Sequence, residues 1–276
     1  AAVAGPCYIR GDIGGSIAAT PSVSWPVNSL TRTWDTNPSD IIVPPGDDPV
    51  TGVDDVRYTG NLISTHTTYL GSDVSNVEIE NTWFGDVGLG CGSGSKGFRI
   101  EGVLSFRGEQ KVDGEPEVFT ITDVFPDERN DADTTDPLHT SLRSTTLMAN
   151  LYYDLGNYNG FVPYVGFGLG VAYHNMGDVS FTENEFLTNT IEGNSDLAFA
   201  WSLMAGFGYQ ITHNAVLDVG YRYIDMGKIK SGRVDSAHFV NPPVVIEDIA
   251  AHEIKVGLRY HFGTTSAPAV EYTSMK

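Results

Sequence analysis

This chain predicts an all-β fold, eight antiparallel strands joined up and down and closed into a barrel, on three observations. Apolar residues recur at every second position in eight separate segments, which is the strand period. The charged residues of those segments fall on one face and the large apolar residues on the other. The connections alternate between short turns and long loops. Helical signals are poor: there are 31 glycines and 14 prolines and no sustained apolar spacing at i, i+3, i+4. Mean hydropathy is −0.14, and no apolar run approaches the roughly 18 residues of a membrane-spanning helix. Strands that face lipid on one side escape that test, because only every second residue needs to be apolar.

The strands read as Cys7–Ile17, Val77–Cys91, Lys96–Arg107, Leu142–Leu155, Phe161–His174, Leu197–Gln210, Ala215–Asp225 and Ala250–Phe262. Each has about the 9–11 residues, or slightly more, that a tilted strand needs to cross a bilayer. The sixth is the clearest, with Leu197, Phe199, Trp201, Leu203, Phe207 and Tyr209 set against Ala198, Ala200, Ser202, Gly206 and Gly208. In the eighth, Ile254, Val256, Leu258, Tyr260 and Phe262 alternate with Glu253, Lys255, Gly257, Arg259 and His261. Three connections are short, Gly92–Ser95, Gly156–Gly160 and Ile211–Asn214, and carry the Gly and Asn of tight turns. Four are long: Ala18–Asn76, Gly108–Ser141, Asn175–Asp196 and Met226–Ile249. Loops beyond about 15 residues are rare in compact soluble domains. Polar, β-prone stretches at Asn61–Leu70 and Val74–Glu80 allow extra strands beyond the bilayer.

Charge decides which face points inward. The formal net charge is −19, and the acidic excess falls in the long connections. On the strands, the charged parity holds Arg10, Arg99, Arg107, Arg222, Lys255 and Arg259, facing Asp12, Glu78, Glu80, Asp86, Glu101, Asp154, Asp218 and Glu253. Arg or Lys facing lipid near the bilayer midplane would cost roughly 2–4 kcal/mol each. The charges therefore belong inside, paired across a lumen, because unpaired buried charge is expensive. Outward aromatics gather at the strand ends, as membrane interfaces select: Phe98, Tyr153, Phe161, Tyr209 and Phe262 at the turn side, Phe106, Tyr173, Phe199 and Tyr223 at the loop side. A ligand-carrying soluble barrel would need an apolar interior; this one reads as ionic.

The segments Tyr8-Ile-Arg-Gly-Asp-Ile-Gly14, Tyr153-Asp-Leu-Gly156 followed by Pro163–Gly170, Val219-Gly-Tyr-Arg-Tyr223 and Ile254–Phe262 resemble the eight-stranded outer-membrane β-barrel family, more narrowly the small surface barrels of alphaproteobacteria. The likeness covers all eight strands and none of the long loops. It implies a transmembrane barrel in the bacterial outer membrane, with four long extracellular loops, three short periplasmic turns and both termini periplasmic. In that family the last strand carries a signal read by the barrel-assembly machinery, matched here by Lys255, Gly257, Tyr260 and Phe262. Phe262 is followed by residues 263–276, which read as a periplasmic tail, so the barrel domain is expected at 1–262. The first residues form no hydrophobic leader, so a secreted chain is expected here in its mature form.

The two cysteines, Cys7 and Cys91, lie at the turn-side rim of neighbouring strands with the same outward parity. A disulfide between them fits an oxidising periplasm. The seven histidines show no metal-ligand spacing, and neither His139 near Ser141 nor His174 makes a catalytic pair on sequence grounds alone. No catalytic, cofactor-binding or metal residues are assigned. Asp127–Asp136 is dense enough in carboxylates to attract Ca²⁺ but lacks the EF-hand glycine and terminal glutamate, and Gly46–Asp55 is weaker, so solvated acidic loops are expected. The negative balance disfavours nucleic acid. Eight strands leave an interior that side chains fill. The expected function is structural and surface-displaying, in contact with outer-membrane lipid, lipopolysaccharide and an extracellular or cell-surface ligand. A narrow porin or a small-solute or haem-binding barrel is the alternative, ahead of a lipid-modifying or proteolytic enzyme.

Overall fold

The computed structural model describes residues 7–34, 62–92, 95–116, 138–183, 187–232, 234–235, 240–241 and 243–262. Eight long strands form the wall: β1 (Cys7–Ala18), β2 (Thr82–Gly92), β3 (Gly97–Arg107), β4 (Leu138–Asp154), β5 (Phe161–Met176), β6 (Asn194–Gln210), β7 (Ala215–Asp225) and β8 (Ala250–His261). Each pairs antiparallel with its neighbour in the chain, from Cys7↔Cys91 between β1 and β2 onward. β1 also pairs with β8 through Tyr8↔His261 to Ala18↔Ala251, which closes the ring. Closure leaves no exposed sheet edge within the membrane-facing wall, the condition for crossing lipid with strands.

The turns are built by the residues that the backbone requires. Between β4 and β5, Asn159 and Gly160 both take positive φ (56° and 89°), while Tyr158 and Phe161 exchange two backbone hydrogen bonds of 2.8 and 3.2 Å. An Asn-Gly pair is the usual solution for such a two-residue hairpin. Between β6 and β7, the Thr212 hydroxyl accepts from the backbone N–H of Asn214 (3.3 Å) and Ala215 (3.0 Å).

The long connections are not bare loops. Ser22–Trp34 pairs antiparallel with Leu62–Ile79, which pairs with Gln110–Pro116, which pairs with the first residues of β4. The other edge of that β4 segment takes Val179–Glu183, itself paired with Leu187–Ile191. On the far side, Ser22–Trp34 takes Val245–Glu247, which takes Ile229–Lys230. Gly232 N–H then donates to the Glu192 carbonyl (2.8 Å), drawing the two ends of this annex together. The wall thus continues past the eight-stranded ring at the loop end.

The second stave begins at Thr82, not at Val77. Val77 and Ile79 share the parity of Trp83, with polar Asn81 between them, but Asn76 turns into the left-handed region (φ 49°) and the ladder to Gln110–Pro116 shifts register between Ser75 and Glu78. Residues up to Ile79 therefore belong to the annex.

Inside, the interior has two storeys. The loop-end storey is an apolar core of Val23, Trp25, Val74, Val112, Leu138, Leu142, Met148, Met176, Val179, Ile191, Ile224, Met226, Ile229, Val244, Ile246 and Ile249. The expectation of an ionic interior holds only below it. The annex strands supply half of this core, and their short apolar positions are too scattered in sequence to reveal a shared interior.

Candidate functional site

The charges of the lower storey stand at inward positions of six staves, and Tyr164 joins them from a seventh. At the turn end, Arg99 pairs with Asp154 (3.3 Å) and with Glu101, and Tyr8 donates its hydroxyl to the same Glu101. Arg10 reaches Glu101 (2.5 Å) and Asp12 (2.6 Å), with Asp218 at 3.9 Å. Asp218 also meets Arg259 (2.7 Å) and accepts from the Tyr164 hydroxyl (2.6 Å). Lys255 bridges Asp12 (3.2 Å) and Asp86 (3.3 Å). Asp86 pairs with Arg222 (3.0 Å), Arg222 with Glu253, and Glu253 with Arg107 (2.9 Å).

Each of these charged groups is linked to all the others through the chain of contacts. The cations are Arg10, Arg99, Arg107, Arg222, Lys255 and Arg259; the anions are Asp12, Asp86, Glu101, Asp154, Asp218 and Glu253. Six face six, so the network is formally neutral. All twelve are buried. Neutrality and mutual hydrogen bonding are what let so much charge sit away from water.

Glu78 and Glu80, expected in this lumen, are exposed on the annex instead, where Glu80 lies 3.9 Å from Lys111. Their removal turns the six-against-eight inventory of the sequence into an even match. Sequence reasoning missed Tyr8 and Tyr152. Arg99 stacks over Tyr152 at 4.2 Å and Arg259 over Tyr8 at 5.7 Å, so the rings fill the space between guanidinium groups. Inward parity with Arg10 and with Asp154 was the available signal. Glycines make room for these long side chains. A side chain at Gly90 would meet the Tyr8 hydroxyl at 2.5 Å and Glu101 at 2.7 Å, and one at Gly257 would collide with the Asp12 carboxylate.

Within the apolar storey, Ser144 stands between Leu142 and Met148 along β4 and His174 between Ala172 and Met176 along β5, both fully buried. His174 Nε2 lies 2.9 Å from the Met226 carbonyl, which can only accept, so that nitrogen carries the hydrogen. Nδ1 then accepts from the Ser144 hydroxyl at 2.8 Å. His139 pairs not with Ser141 but with Asp113 (2.6 Å) on the exposed annex surface, and Ser180, across from it, donates to the His139 carbonyl (3.4 Å). The acidic stretches 46–55 and 127–136 lie outside the described residues.

The outer face of the staves is dominated by apolar side chains below their loop ends. Ile13, Leu89, Phe98, Ile100, Leu197, Phe199 and Ile254 are all more than 60% exposed. Such a face is untenable in water at this extent. It is bounded at the loop end by a polar row on which Arg143 donates to Glu109 (3.0 Å) and Asn175 to Ser195 (2.7 Å). At the turn end Cys7 and Cys91, directly opposite in register, form a disulfide on this outer face.

A closed eight-stranded wall with an apolar exterior and a neutral, packed ionic interior defines an integral β-barrel membrane protein. The family model for the outer membrane protein beta-barrel domain matches residues 54–262, and the chain belongs to that family of Gram-negative outer-membrane proteins. The match leaves out β1, which closes the ring. The outer membrane protein PagN of Salmonella typhimurium is 28% identical over 176 residues, 59% of this chain and 65% of that protein. An uncharacterized protein of Brucella abortus is 32% identical over 133 residues, 42% of this chain and 46% of that one. The chain thus spans less than two thirds of these curated relatives. Among solved structures, the outer membrane protein OprG of Pseudomonas aeruginosa aligns with 94% of this chain and 99% of its own, at 16% identity and a TM-score of 0.44. The topology rests on the strand registers of this chain itself.

Proposed function

We propose that this protein is a non-conducting outer-membrane barrel that holds its annex at the cell surface, where the annex meets lipopolysaccharide and an extracellular or cell-surface ligand. In this reading the loop end is extracellular and the turns and both termini are periplasmic. Residues 1–262 are the barrel, and 263–276, outside the described residues, are a tail. The observation that supports it best is the filled interior: twelve interlocked charges below and a packed apolar core above, stacked along the barrel axis. No role in catalysis is assigned to any residue, and the net charge of −19 sets the displayed surface against polyanionic nucleic acid.

Lys255, Gly257, Tyr260 and Phe262 are read as the assembly signal. Tyr260 and Phe262 stand half exposed on the outer face with ring centroids 5.9 Å apart, while Lys255 is buried in the network. Planar-bilayer recording of the purified barrel tests the function directly: silence is expected, and large stable conductance steps would overturn it. Protease treatment of intact cells tests the orientation, with cleavage expected in the annex and not at the turns.

A further inference from the structure

One row of inward residues carries two polar atoms that neither the wall nor the ionic network satisfies. Asn150 on β4, Gly168 on β5 and Ser202 on β6 stand side by side in register. Asn150 is 4% exposed and Ser202 is fully buried, yet Asn150 Oδ1 and Ser202 Oγ have no hydrogen-bond partner among the described residues. Both atoms point at one place. A Cβ on Gly168 would strike Asn150 Oδ1 and lie 2.5 Å from Ser202 Oγ. Glycine at this position is what lets the two oxygens converge over the middle strand.

The neighbours fix which atoms are left over. The Tyr152 hydroxyl donates to Met204 Sδ (3.1 Å), and its oxygen accepts from Asn150 Nδ2 (3.4 Å). That leaves Asn150 Oδ1, which can only accept, facing the glycine, while the Ser202 hydroxyl can both donate and accept. Arg10, Asp12, Arg107, Asp218 and Arg259 also have atoms outside hydrogen-bond geometry, but each sits in an ion pair. Asn150 and Ser202 are neutral, so no such attraction stands in for the missing bonds. A buried polar atom left unpaired is costly.

We infer that one water molecule sits over Gly168, donates to Asn150 Oδ1 and accepts from the Ser202 hydroxyl, tying β4 to β6 across β5. The ligand must both donate and accept. It must also be small, because Met148 Cε stands 3.3 Å from the Gly168 Cβ position. Water meets both conditions, and two polar partners are the least that a buried water requires. A bare cation is a poorer occupant, since two neutral oxygens cannot replace its hydration shell. On the loop side of the row stand Met148 and Ala200 of the apolar core; on the turn side stand Tyr152 and Met204. The water therefore lies at the floor of the apolar storey, as the last polar bridge before ionic packing gives way.

The test uses the full-length barrel, refolded in detergent and crystallised at a resolution that shows ordered water. The wild type is expected to show a single density peak at about 2.7–3.0 Å from both oxygens, and Ser202→Ala to lose that peak. Urea unfolding gives a second readout. Asn150→Leu and Ser202→Ala should each lower the midpoint, and the double variant, which leaves neither oxygen orphaned, should lose no more than the larger single loss. Folding is checked by the heat-dependent gel shift of an intact barrel; should Asn150→Leu not fold, Asn150→Ala replaces it. Direct contact between Ser202 Oγ and Asn150 Oδ1 with no peak overturns the inference. So does density for a molecule larger than water, and so do additive losses in the double variant.

Discussion

Arg222 shows how tightly each lumen residue is committed. It holds Asp86 and Glu253 at once, and its guanidinium lies 5.0 Å over the Phe84 ring. Arg222→Leu would leave two buried carboxylates short of their main cation. Breaking a buried pair on one side typically costs 3–5 kcal/mol, so urea unfolding of the reconstituted barrel should shift by about that amount. Removing exposed Arg143 from Glu109 should change stability by at most ~1 kcal/mol. Equal effects at both sites would mean that the lumen network is no more coupled than a surface pair. Gly257 separates two roles at the same scale. Gly257→Ala displaces Asp12 from Lys255, so it should lower stability in refolded protein by roughly 1–3 kcal/mol, the usual cost of overpacking. If refolded G257A is as stable as the wild type yet fails to insert in cells, the position serves the assembly signal alone.

At the scale of elements, the barrel and the annex respond to different changes. The annex joins the ring through its ladders to the first residues of β4 and through the apolar storey, in which Leu142 and Ile246 are fully buried. Leu142→Ala or Ile246→Ala should cost about 2–5 kcal/mol. The expected readout is faster proteolysis of the annex with the heat-dependent gel shift of the barrel retained. Loss of both together would show that the two storeys fold as one unit. The disulfide acts at the other end, joining β1 to β2 across a separation of 84 residues that contains the first annex strands. Cys7→Ser/Cys91→Ser should lose about 2–5 kcal/mol, in line with removal of native disulfides, and reduction of the wild type should reproduce the loss. The staves were legible because one face meets lipid, which leaves a strict alternation over long segments. The annex was legible only as β-prone stretches. Its strands pair with partners far away in sequence, such as Val245 with Ser24, and strands without one lipid face leave no comparable pattern.

For the whole molecule, the closed wall accounts for membrane residence, and the filled interior supports the proposed lack of a conduit, which planar-bilayer recording checks. The amino-acid sequence by itself determined the wall: eight alternating segments, the inversion of charge and grease, the turns, and the pairing of Cys7 with Cys91. Each depends on local periodicity and parity, which any strand of period two carries along its own length. Only the tertiary structure decided what fills the barrel. Parity places Glu78, Glu80 and Glu253 alike, yet Glu253 meets Arg107 and Arg222 while Glu78 and Glu80 face water on the annex. The apolar upper storey likewise needs strands from four long connections to converge. Which side of a strand is buried is a one-dimensional property; which charges meet, and where ionic packing gives way to apolar packing, depends on register between distant segments.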